Sequence, residues 1–93
     1  METIYKYSLE AKESTILELP ICSHVISATH QNGIIVIYAV VDTDQTETAP
    51  FDFRTYGTGH KINVHLPEYR FLNTVNMHNG ALVFHVFYKQ IAA

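Results

Sequence analysis

Two Asn-Gly dipeptides, Asn32-Gly33 and Asn79-Gly80, each sit between runs of β-branched and aromatic residues. Asn-Gly suits a two-residue type I′ turn, whose central residues both take positive φ and whose twist matches an antiparallel ribbon. The chain is therefore expected to double back at two places. Counting outward from Asn32-Gly33 sets Gln31 opposite Ile34, Thr29 opposite Val36, Ser27 opposite Tyr38 and Val25 opposite Val40. The other face sets His30 against Ile35, Ala28 against Ile37, Ile26 against Ala39 and His24 against Val41. Ile34 to Asp42 is apolar on both faces, which predicts a central strand covered on both sides.

Counting from Asn79-Gly80 pairs Met77 with Leu82, Val75 with Phe84, Asn73 with Val86 and Phe71 with Tyr88. This face is almost wholly apolar and reads as core, each large side chain worth about 1.5–3 kcal/mol on burial. The opposite face carries His78, Ala81, Asn76, Val83, Thr74, His85, Leu72 and Phe87. It is mixed, hence half-covered or used for contact.

The remaining segments speak the same language. Thr3 to Leu9 reads as a strand with Ile4 on one side and Tyr5 and Tyr7 on the other. Thr15 to Leu19 reads as another, stopped by Pro20. Phe51, Phe53 and Thr55 alternate with Asp52, Arg54 and Tyr56 up to Gly57-Thr58-Gly59-His60. Thr43 to Pro50 is a polar, acidic loop, and Ile62 to Tyr69 a loop or short edge strand. One short helix fits near Glu10 to Ser14 or Pro67 to Arg70. The fold expected is one mainly β domain over residues 1–93, an antiparallel β-sandwich or barrel with at most that helix.

Composition narrows the function. Charged residues are 16% of the 93, against roughly 25% in an average soluble protein. A surface so poor in charge favours self-association into a homo-oligomer. Net charge is −3 and the six Lys and Arg are scattered, so direct duplex DNA binding, which draws on clustered cations, is not expected. No N-terminal signal peptide is visible, and the longest apolar run is too short to span a bilayer, so no membrane association is expected. The single Cys22 beside Ile21 reads as a small buried hydrophobe.

Six histidines are the oddity of composition. Their spacing lacks a zinc-ligand signature, so no metal and no cofactor are expected. The sharpest local motif is Gly57-Thr58-Gly59-His60, preceded by Arg54 and Tyr56. Its backbone N–H groups could cradle an anion, or it is simply the turn that ends a strand. No activated nucleophile is in view, so the chain reads as a binder rather than an enzyme. The candidate binding residues are Arg54, Tyr56, Gly57, Thr58, Gly59, His60, His78 and His85.

Several stretches taken together carry a resemblance. They are Thr3-Ile4-Tyr5-Lys6-Tyr7, Gln31-Asn32-Gly33, Tyr38 to Asp42, Phe53 to His60 and Gly80 to Phe87. In this order they resemble a family of small phage and prophage proteins of uncharacterised function. The chain departs from that pattern at Phe84, where Trp is the expected residue. The resemblance implies a phage accessory protein in the host bacterial cytoplasm. By analogy of size and context it implies an inhibitor or modulator of a host protein complex, of the anti-CRISPR or other anti-defence type. The alternatives are a nucleotide- or phosphate-binding protein and a minor virion or assembly component.

Overall fold

The computed structural model describes residues 1–10 and 13–91. Seven strands follow one another: β1 (Glu2–Ser8), β2 (Ser14–Pro20), β3 (His24–Gln31), β4 (Ile34–Asp42), β5 (Thr48–Gly57), β6 (Arg70–Met77) and β7 (Leu82–Gln90). All pairings are antiparallel and form two sheets, one ordered β1-β4-β3 and the other β2-β5-β7-β6. The architecture is a β-sandwich, not the barrel left open by the sequence. Alternation along each strand explains why: Ile37, Ala39 and Val41 of β4 are fully buried, and so are Phe53 of β5 and Val86 of β7 across the gap. Two sheets that each bury one face satisfy this pattern by stacking.

The hairpins pair as counting predicts over their inner halves. Gln31 to Ser27 meet Ile34 to Tyr38, and Met77 to Asn73 meet Leu82 to Val86. Beyond that each incoming strand carries a bulge, between Val25 and Ser27 in β3 and between Phe71 and Asn73 in β6. A bulge places an extra residue on one strand and shifts every later pair. His24 therefore meets Val40 and Val25 meets Ala39, rather than Val41 and Val40. Phe71 meets Phe87, not Tyr88, and stands 57% exposed, while Leu72 packs on the core in its place. The bulged strands lie side by side at one edge of the sandwich, where the Ala28 N–H donates to Asn73 Oδ1 at 3.2 Å.

Three further expectations are corrected. β4 is central, but its outer face is only partly covered: Val36 is buried there, while Ile34 is 49% exposed and Tyr38 and Val40 are half-buried. The acidic loop stops at Glu47, because Thr48 already pairs with Pro20. Cys22 is exposed, not buried, since Pro20 ends β2 and Cys22 takes φ +65 in the turn that Ser23 N–H closes onto Pro20 O at 3.2 Å. Of the two alternatives for Ile62 to Tyr69 the loop is found, with a 3₁₀ turn at Leu66–Glu68 that includes Pro67. The helical turn weighed for Glu10 to Ser14 is replaced at its end by β2, and its middle lies outside the described residues. Among the described residues no helix is long and apolar enough to cross a membrane.

Candidate functional site

Both Asn-Gly turns reach the same end of the sandwich and border one cavity of about 760 Å³. Its inner wall comes from Leu9 and Met77, both buried, and from Ile35 and Phe84, half-buried against the core. Its mouth carries Ile34 and Leu82, 49% and 44% exposed, beside Glu10, Glu13, His60 and His78. The turns position these groups. In the first, Asn32 and Gly33 take φ +52 and +78, as a type I′ turn requires, and deliver Ile34 directly. In the second, His78, Asn79 and Gly80 are all left-handed, so the loop has four residues and the expected His78–Ala81 pair does not form. His78 is thereby held out at the rim.

The Gly57–His60 turn forms a third side. His60 N–H donates back to Gly57 O at 3.0 Å, and Gly59 takes φ +88. The imidazole then folds over Gly57, whose N–H donates to His60 Nδ1 at 3.2 Å. A Cβ at Gly57 would lie 2.7 Å from His60 Cε1, so only glycine admits this contact. Because Nδ1 accepts, the neutral ring carries its proton on Nε2. Thr58 N–H donates to Val83 O at 3.2 Å. The N–H groups of residues 57, 58 and 60 are thus engaged within the chain.

The other sequence-selected residues lie elsewhere, on the outer face of the four-stranded sheet. Arg54 Nε donates to both carboxylate oxygens of Asp52 at 3.2 Å. Asp52, buried, also accepts from Tyr69 Oη at 2.7 Å and from Ser14 Oγ at 3.4 Å. Tyr56 Oη donates to Asn63 Oδ1 at 2.8 Å. His85 is held between Thr58 Oγ1 at 2.9 Å and Thr74 Oγ1 at 3.0 Å. A neutral imidazole has one donor and one acceptor, so one threonine gives its proton to the ring and the other receives one. Together these contacts lash residues 58–69 across the sheet like a strap. The candidate residues thus separate into His60 and His78 at the cavity mouth and Arg54, Tyr56 and His85 under or beside the strap, with Thr58 joining the two.

Sequence reading missed Ile34 and Leu82 as mouth residues, because in an alternating strand they resemble core positions. It also missed Asp52 and Asn73, single polar residues whose partners are remote in the chain. Among the described residues no three His, Cys, Asp or Glu side chains converge as metal ligands would. A family model described as a domain of unknown function, DUF7352, matches residues 1–93. The chain belongs to the DUF7352 family. No curated protein and no solved structure matches it.

Proposed function

We propose that this DUF7352 domain works by binding a protein, through the end of the sandwich that holds both hairpin tips. The observation that carries this reading is the exposure of Ile34 and Leu82 over a cavity with an apolar wall, ringed by Glu13, His60 and His78. Protein interfaces concentrate their affinity in such an arrangement, an apolar centre that loses its water inside a polar rim. The resemblance to small phage and prophage proteins supports the class of partner. On that resemblance we read the domain as a phage-encoded accessory protein that inhibits or modulates a host complex in the bacterial cytoplasm, with anti-CRISPR and other anti-defence roles as the leading cases. Affinity capture from a bacterial lysate, with wild type beside the Ile34→Asp/Leu82→Asp variant, tests it. A stoichiometric partner lost in the variant is expected. Equal capture by both would sink this surface, and capture of nothing under several conditions would sink the reading.

One observation favours a second reading. A volume of about 760 Å³ falls in the range of small-molecule pockets. Its apolar wall suits an apolar molecule better than a nucleotide, because Arg54 Nε and the N–H groups of residues 57, 58 and 60 already have partners. A thermal-shift panel containing both apolar and phosphate-bearing compounds separates the two. Stabilisation by the second group alone would restore the nucleotide alternative.

A further inference from the structure

We infer that the free edge of β1 joins two copies of this chain, antiparallel, with Ile4 opposite Ile4 of the second copy. Among the described residues β1 pairs only with β4, so one side of its backbone has no strand beside it. Which groups face that side follows from the ladder. Leu9 N–H donates to Ile35 O and Thr43 N–H to Met1 O, each at 2.9 Å and each between directly opposed residues in the register of this pair. In an antiparallel pair, residues alternate between bonding the partner and pointing away from it. Odd-numbered residues of β1 therefore bond β4, and Glu2, Ile4, Lys6 and Ser8 turn their N–H and C=O groups to the open edge.

Natural edges are blunted by bulges, prolines, buried charges or a covering segment. The other edge of the same sheet is closed in this way, its bulged strand β3 lying against β6. β1 has no proline, no glycine and no bulge, and it exposes Ile4 by 57% and Tyr5 by 48% on its two faces.

Charge chooses the occupant and the register. A second β1 must offer its own even-numbered residues, which leaves few alignments. Centred on Lys6, the pairing would set two ammonium groups opposite each other. Centred on Tyr5, it would set Glu2 opposite Ser8 and leave no charge pair. Centred on Ile4, it sets Glu2 opposite Lys6 of the second copy, twice by symmetry, and covers both exposed isoleucines. Opposite charges directly across a sheet stabilise and like charges destabilise. Lys6 Nζ now donates to Gln31 Oε1 at 2.8 Å, and its ammonium has two further protons for a carboxylate. The product is a continuous six-stranded sheet. Seven residues of edge form less than a standard interface, so the dimer dissociates on dilution.

Sedimentation velocity on the full chain, from about 10 μM to about 1 mM, reads the association. A mass rising from one protomer towards two is expected. Glu2→Lys and Lys6→Glu each weaken it by about tenfold or more, and mixing these two variants restores it as a heterodimer. Ile4→Pro abolishes it while keeping the β1–β4 ladder, because the N–H it removes faces the open edge. If Ile4→Pro fails to fold, the charge variants still decide. A monomer throughout the range, or a dimer that no variant weakens, overturns the proposal. A dimer weakened by both charge variants but not rescued on mixing overturns the register.

Discussion

The two hairpins share a dipeptide, an inner register and a bulge on the incoming strand, yet they end as different objects. The first closes tightly on Gln31 and Ile34, and its outer face buries Val36 but leaves Ile34 and Thr29 exposed. The second opens at its tip to four residues, three of them left-handed, and on its outer face the strap of residues 58–69 touches β7 at His85 and Lys89 while Phe71, Thr74 and Asn76 of β6 stay exposed. The difference shows what sets a hairpin's faces. Widening the loop from two residues to four adds one on each side and leaves every later pair unchanged. A bulge adds one residue to one strand and exchanges core for surface beyond it. In the second hairpin that exchange moves Phe71 outside, edge-on to Phe87 at 5.4 Å, and turns Leu72 toward the core.

The severest way to break the comparison is in the shared core. Ile37 of the first hairpin and Val86 of the second are both fully buried. Ile37→Ala is expected to cost about 2–5 kcal/mol in urea unfolding, and Val86→Ala less, by about one methylene or about 0.8 kcal/mol. A negligible cost for Ile37→Ala would mean that the first hairpin does not pack on the second.

The seam between the bulges is the next target. Asn73→Ala leaves the Ala28 N–H without its acceptor in a partly buried position, at a cost of about 1–3 kcal/mol. The diagnostic reading is hydrogen exchange at Ala28, which should accelerate well beyond exchange at Ile37. Asn73→Asp keeps the acceptor and should retain most of the protection.

The strap is fastened to β5 and reaches the second hairpin along β7, and alkaline pH reads its β5 anchor. Burial, and then the hydrogen bond and charge of Asp52, hold the Tyr69 hydroxyl above the ordinary tyrosine pKa. Its folded pKa lies above the unfolded value of about 10, so its contribution is complete below that pH and lost as pH rises through the folded value. Tyr69→Phe should cost about 1 kcal/mol at neutral pH and flatten this alkaline loss. An identical alkaline slope in wild type and variant would assign the loss to other tyrosines.

Most of the strands were legible because alternation and turn chemistry are local. Ile37 and Val86 read as buried from their neighbours alone. Neither bulge could be read, because Val25-Ile26-Ser27 and Phe71-Leu72-Asn73 are ordinary strand sequences. The bulges sit where β3 meets β6, and the bond from Ala28 to Asn73 joins residues remote in the chain. The same limit applied to the site. His60 and His78 stood out by residue type, but that they share a cavity with Ile34 and Leu82 depends on both hairpins ending on the same side. Cys22 failed as a core residue because it lies in the turn between β2 and β3, in the left-handed region, and its side chain is carried outward.

The smallest effect bears most directly on the two turns. A non-glycine residue in the left-handed region costs about 1–2 kcal/mol, less for asparagine, whose side chain tolerates it. Glycine in its place recovers that strain but loses about 0.5–1 kcal/mol to the freedom of the unfolded chain. At His78, φ +52, the balance favours His78→Gly by about 0.5 kcal/mol, seen as a small rise in melting temperature. At Asn32, also φ +52, the same replacement should change almost nothing, since asparagine already bears the conformation well. Were His78→Gly to destabilise the domain, the imidazole at the cavity mouth would be making contacts worth more than the strain of its backbone. The second tip would then be held open by its histidine rather than in spite of it.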